Sequence, residues 1–337
     1  MEDNHEASIK DEVEAVKMKR PHVFILGAGA SRAACINGDK NNRALPLMSD
    51  LVEVLGLGQT LKDWGFDPKG NFEDLFSSLH EKGEHEKIRS VEVIVENYFK
   101  SLKLPDRPNL YDHLVLSLRE KDLIATFNWD PLLLEAYLRN KNSGLKLPRL
   151  VFLHGNVSIG ICSANKHVGV LNGICSCKRL LTKVPLLYPI GKKNYSDSLF
   201  IANEWNVLKR YLKSAFMITI FGYSGPKSDQ EAIALMSEAW GPGSERSMEQ
   251  TSFISLQSEG EITENWDKFI HSHHYEIQKD FYDSWLANHP RRTGEAYLHQ
   301  YLEAKFIDNN PIPKDLDFPE LWKWYDQFKP AESSMSN

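Results

Sequence analysis

The sequence predicts an α/β fold: a doubly wound, mainly parallel Rossmann-like sheet with a helical insertion and a small cysteine-bearing module. Three observations predict it. Short apolar runs rich in β-formers recur at Val23, Leu123, Leu150 and Phe216, and each empties into a turn built on Gly, Asn or His. Longer stretches of helical periodicity separate them, the alternation of a parallel sheet. The first run leads straight into Gly27-Ala28-Gly29-Ala30-Ser31, a strand-to-helix loop whose missing Cβ atoms allow a sharp bend and close approach to a phosphate. The loop lacks the third glycine of the usual dinucleotide fingerprint, so its meaning depends on the rest of the chain.

Residues 1–20 are charged throughout and read as a short polar helix or a disordered arm, with no apolar leader segment. The main domain is expected over 21–260. Its first strand is Val23 to Leu26, followed by a short helix from Ala30 to Ile36. The run Asn37-Gly38-Asp39-Lys40-Asn41-Asn42 is a dense turn signal that predicts a mobile loop. From about 45 to 120 the pattern is helical, an insertion expected to lie over the sheet edge and wall off a pocket. The strands resume at Leu123 to Phe127. Asn128-Trp129-Asp130-Pro131 then opens a helix running from Leu132 to Arg139, with proline in its first turn and Asp130 as its cap. Leu150 to Leu153 is a third strand, ending in His154-Gly155.

A small module of irregular character spans about 156–190 and carries Cys162, His167, Cys175 and Cys177. From Ser198 to Ala215 apolar residues fall on one helical face. Phe216 to Phe221 is a fourth strand, ending in Gly222-Tyr223-Ser224, and its helix runs from Asp229 to Trp240. A fifth strand is expected over Thr251 to Leu256. The remainder, 261–337, reads as a mainly helical C-terminal segment with an aromatic-rich end from Leu321 to Phe328.

The 40 basic and 46 acidic residues leave a net charge of −6, which argues against a general electrostatic grip on nucleic acid. Four cysteines in 337 residues are too few for a disulfide scaffold, so reduced thiols and a cytoplasmic setting are expected. No apolar run is long enough to span a membrane. The histidines of His271-Ser272-His273-His274 would point to different faces of a helix or strand, so no closed metal site is expected there.

Taken in order, Gly27-Ala28-Gly29-Ala30-Ser31, Thr126-Phe127-Asn128-Trp129-Asp130, Leu153-His154-Gly155 and Phe221-Gly222-Tyr223-Ser224 resemble a sirtuin-like domain. The resemblance is to the prokaryotic branch that hydrolyses NAD+ in antiphage defence. It implies Asn128 and His154 as catalytic residues, Asp130 near the nicotinamide end, and Gly27, Ala28, Gly29, Ala30 and Ser31 around the pyrophosphate. Gly222, Tyr223 and Ser224 would contact the adenosine half or its phosphates. It further implies an oligomer held inactive until infection, or control by a separately encoded ATPase partner.

The residue types suit that chemistry. Cleaving nicotinamide from ribose passes through an oxocarbenium-like centre with a cationic leaving group, so little acid assistance is needed. The site must orient the ribose, position a nucleophile and supply a base, roles open to an amide and an imidazole. The chain departs from protein deacylases after Ser31, where Ala33-Ala34-Cys35-Ile36-Asn37-Gly38 replaces the segment used around their nicotinamide pocket. It also lacks their paired Cys-x-x-Cys motifs. Cys162, Cys175, Cys177 and His167 are the expected ligands of a structural zinc. Two other readings stay open: an NAD-dependent deacylase or ADP-ribosyltransferase, and a non-catalytic NAD or ADP-ribose sensor.

Overall fold

The computed structural model describes residues 6–189, 195, 198–226, 229–270 and 275–334. Six strands form its main sheet: β1 His22–Leu26, β2 Leu123–Thr126, β3 Arg149–Phe152, β4 Met217–Phe221, β5 Gln250–Ile254 and β6 Tyr275–Gln278. Their spatial order is β6-β5-β4-β1-β2-β3 and every neighbouring pair is parallel. This is the doubly wound arrangement expected from the sequence, with strand order reversing between β1 and β4.

Alternation within the strands builds two cores. Phe24, Leu26 and Ile124 face one side, against the helical insertion. Val23, Ile25, Ala125 and Val151 face the other, against α4 Leu199–Ser214 and α5 Gln230–Trp240. Strands buried on both faces need continuous apolar runs, which is why β1, β2 and β4 stand out in the sequence. Three further helices bear on the site: α1 Ala28–Ala34, α2 Leu110–Ser117 and α3 Leu132–Arg139.

The structure departs from the sequence reading in three places. The sheet continues beyond residue 260, because the edge strand β6 pairs with β5 where a helical segment was expected. Its residues are only half-buried and show no apolar run. The turn-rich stretch at 37–42 is pinned rather than loose: the buried Asp39 carboxylate accepts from the N–H groups of Asn41, Arg43 and Lys103 at 2.8, 2.8 and 3.0 Å. The arm is tied down as well, since Glu6–Ala7 pairs with Phe306–Ile307 and Arg292 donates to the Val13 carbonyl. At the far end Leu321, Tyr325 and Phe328 pack into a satellite core with Leu116 and Leu145. The His271-to-His274 run lies outside the described residues.

The cysteine-bearing module is a three-stranded antiparallel sheet of Ile159–Ile161, Val168–Val170 and Thr182–Lys183. Among the described residues no helix is long and apolar enough to cross a membrane.

Candidate active site

Strand register brings the motif residues together. The last registered pairs are Leu26 with Thr126, Thr126 with Phe152, and Leu26 with Phe221. Two positions further on, at the carboxyl edge of the sheet, stand Ala28, Asn128, His154 and Tyr223. Neighbouring strands lie about 5 Å apart, so these positions form a short row across four strands, at the place where ligands sit in open α/β sheets.

The two glycine turns meet at the reversal of strand order. The Gly27 N–H donates to the Phe221 carbonyl at 3.0 Å and the Gly29 N–H to the Gly222 carbonyl at 2.9 Å. A Cβ on Gly27 would fall 2.5 Å from the Gly222 oxygen. One on Gly222, whose φ is +61°, would fall 2.2 Å from the Ala30 nitrogen. These glycines are therefore demanded by the contact between the loops, and two of the amides expected to face a phosphate are already engaged. Ser224 is exposed at the outer end of the second turn.

Asn128 is the centre of a side-chain network. Its Nδ2 donates to the Gly27 carbonyl at 2.8 Å and to Ser31 Oγ at 2.9 Å. Ser31 Oγ in turn donates to Asp130 Oδ2 at 2.6 Å and lies 2.7 Å from the Tyr111 hydroxyl. Asp130 Oδ1 accepts the Leu132 N–H at 3.0 Å, the capping role its place before α3 predicts. Burial pushes the Asp130 carboxyl up to about 6, with the bonds from Ser31 and Leu132 working in the opposite direction. Asn156, buried beyond His154, donates to the Asp130 carbonyl at 2.6 Å and ties the ends of β2 and β3.

His154 is buried, with its ring edge-on to Phe127 at 4.7 Å and facing Tyr195 at 6.0 Å. Its Nε2 lies 4.0 Å from Asp229 Oδ1, while Asp229 Oδ2 accepts the Tyr223 hydroxyl at 2.9 Å. Phe127 stacks on Tyr223 at 4.2 Å and so stands between the two rings. Asp229, Tyr111 and Asn156 were not singled out as site residues from the sequence. Asp229 appeared there only as a helix start, and Tyr111 sits in a helix whose every residue is buried.

A small cavity of about 50 Å³ opens beside Asn128. Ser31, Asn128 and Asp130 supply its polar lining beside Ala28, and Leu45, Leu47 and Met48 of the insertion form its roof.

No family model matches the chain, and neither does any curated protein. Among solved structures it is similar to a Sir2 homologue in complex with NAD, at 14% identity over 88% of this chain and 93% of that one, TM-score 0.42. It is similar also to a mutant Sir2 homologue in complex with ADP-ribose, at 13% identity over 96% and 97%, TM-score 0.42. A third is Sir2 bound to acetylated peptide, at 14% identity over 84% and 93%, TM-score 0.39. At these TM-scores the likeness decides nothing about chemistry.

In the small module the sulfurs of Cys162, Cys175 and Cys177 lie within 4.8 Å of one another, with Cys162 and Cys177 at 3.5 Å. Three thiolates bound to one zinc at about 2.3 Å sit about 3.8 Å apart, so these three fit three corners of a tetrahedron. Asn165 Nδ2 donates to the Cys175 sulfur at 3.2 Å, and bonding of this kind holds that thiol below its ordinary range, led by the Cys177 N–H. His167 does not join them. Its side chain is exposed at the hairpin between the strands, where only its carbonyl approaches the cluster, accepting the Cys162 N–H at 2.8 Å. The hairpin turns the imidazole outward, which proximity in sequence does not reveal.

Proposed function

We propose that this chain is an NAD+ glycohydrolase, cleaving NAD+ with water to nicotinamide, ADP-ribose and a proton. The observation that carries the proposal is the register of β1, β2 and β3, which sets Ala28, Asn128 and His154 at one level on adjacent strands. An amide, an imidazole and a glycine turn at one sheet edge are what ribose orientation, proton removal and diphosphate binding require.

In this reading Asn128 receives a hydroxyl of the nicotinamide ribose or the attacking water. His154 takes the water's proton as the new bond to C1 forms and the nicotinamide nitrogen departs with the old bonding pair. Departure neutralises the nicotinamide ring and needs no proton. Asp130 borders the nicotinamide end, residues 27–31 hold the diphosphate, and Gly222, Tyr223 and Ser224 line the adenosine side. A drug-sized ligand needs roughly 300 Å³ or more, so binding of NAD+ beside Asn128 requires the cavity bordered by Leu45, Leu47 and Met48 to widen.

Cys162, Cys175 and Cys177 would hold a zinc that fastens the module without entering the reaction. The resemblance in the sequence also supports a role in antiphage defence by NAD+ depletion, in the cytoplasm, with control by homo-oligomerisation or a separately encoded ATPase partner.

The test is chromatography of NAD+ incubated with the purified chain, with and without a candidate activator. Nicotinamide and ADP-ribose in equal amounts are expected. A strict requirement for an acylated peptide would transfer the assignment to a deacylase, and tight binding with no product to a sensor.

A further inference from the structure

With Asp130 ionised, the one proton of the Ser31 hydroxyl goes to Asp130 Oδ2 at 2.6 Å. The 2.7 Å contact between Ser31 Oγ and the Tyr111 hydroxyl must then be a bond donated by the tyrosine. Ser31 thus accepts twice, from Tyr111 and from Asn128 Nδ2, and the tyrosine oxygen lies a further 3.4 Å from the same Nδ2. The second amide hydrogen of Asn128 is committed to the Gly27 carbonyl. Both amide hydrogens therefore point into the protein, and Oδ1, with no hydrogen bond among the described residues, is left for the cavity.

Were the amide to turn over, its oxygen would face the Gly27 carbonyl, an acceptor against an acceptor, in a buried setting where an unmade bond costs about 1–3 kcal/mol. Tyr111 adds to that choice: with its proton given to Ser31, its oxygen is left as a second acceptor 3.4 Å from Nδ2, which a reversed amide oxygen would face unpaired. It is fully buried on α2 of the helical insertion, and no rotation brings its hydroxyl to solvent while the ring keeps its place.

We infer that Tyr111 is a positioning residue, acting through Ser31 to fix Asn128 as a hydrogen-bond acceptor toward the reacting centre. The inference rests on the hydrolase reading for its kinetic consequence but not for its geometry. Asn128 then receives a donor, a hydroxyl or a water, and does not offer its amide hydrogens to the substrate. The insertion, by carrying Tyr111, sets the reaction centre as well as roofing it.

Tyr111→Phe keeps the ring that fills the core and removes only the hydroxyl. Two measurements are made on the full-length chain, after a urea titration shows the variant folded. The first is proton exchange of the Asn128 side-chain amide by NMR, assigned with Asn128→Asp. Slow exchange in the wild type, quickened at least tenfold in Tyr111→Phe, is expected, and identical exchange in the two overturns the inference. The second is turnover of NAD+: kcat falls on the order of tenfold with KM little changed, and the same substitution costs nothing further in an Asn128→Ala background. An equal loss in that background overturns the inference too, because it shows that Tyr111 does not act through Asn128. A wild-type chain that protects the amide, yet turns over no NAD+ under any condition, upholds the positioning role and removes the hydrolase.

Discussion

Asp130 gives the sharpest physical test of the network at the sheet edge. Its carboxyl is 4% exposed, and burial raises it from the ordinary 3.8 to about 6. The fold thus favours the protonated form. Below about pH 3 the group is protonated folded and unfolded alike, and it brings no penalty. As pH rises toward 6 the unfolded chain releases the proton while the folded chain keeps it, so stability falls, levelling off above 6. A shift of about two units corresponds to a loss of about 3 kcal/mol. Asp130→Asn removes the titration while keeping an oxygen to cap Leu132 and a polar partner for Ser31. Urea unfolding of both proteins from pH 4 to 8 isolates this group, because all other titrating groups are shared. Relative to its value at pH 4, the variant is expected to gain about 2 kcal/mol over the wild type by pH 7, most of it between pH 4 and 6. A difference that stays constant across the range, or one that favours the wild type as pH rises, refutes the reasoning.

Three further substitutions probe other parts of the account. Gly222→Ala adds a Cβ 2.2 Å from the Ala30 nitrogen at a residue of φ +61°, and should lower stability by about 3 kcal/mol or more in urea unfolding. Elemental analysis should find zinc in the purified wild type, lose it in Cys175→Ser and retain it in His167→Ala, because only the three sulfurs converge. Met48→Ala trims the roof of the cavity and should lower KM for NAD+ several-fold with kcat little altered, whereas an unchanged KM would mean that the substrate enters elsewhere.

Much of this architecture is legible in the sequence because a parallel strand buried on both faces has to be apolar throughout. Val23 to Leu26, Leu123 to Phe127 and Phe216 to Phe221 announce themselves for that reason, and the turns that follow them deliver Gly27, Asn128 and Gly222 to one edge. The strand Tyr275–Gln278 escapes notice because it lies at the sheet's border, half-exposed, with polar residues at alternate positions. Tyr111 is hidden for the opposite reason: in a helix buried on every side, an aromatic residue carries no mark in the sequence of the hydroxyl's partner. The loop at 37–42 shows how far composition can mislead. Its Gly and Asn residues signal a turn correctly, but of the three backbone bonds that Asp39 accepts, the one that ties the loop to the rest of the fold comes from Lys103, more than sixty positions away.

The most direct test of the central claim is the rate of NAD+ consumption by the wild type, Asn128→Ala and His154→Ala at equal concentration, with folding of each verified by circular dichroism. The account predicts measurable hydrolysis by the wild type and a loss of at least about a hundredfold in both variants. Wild-type rates in both would contradict it.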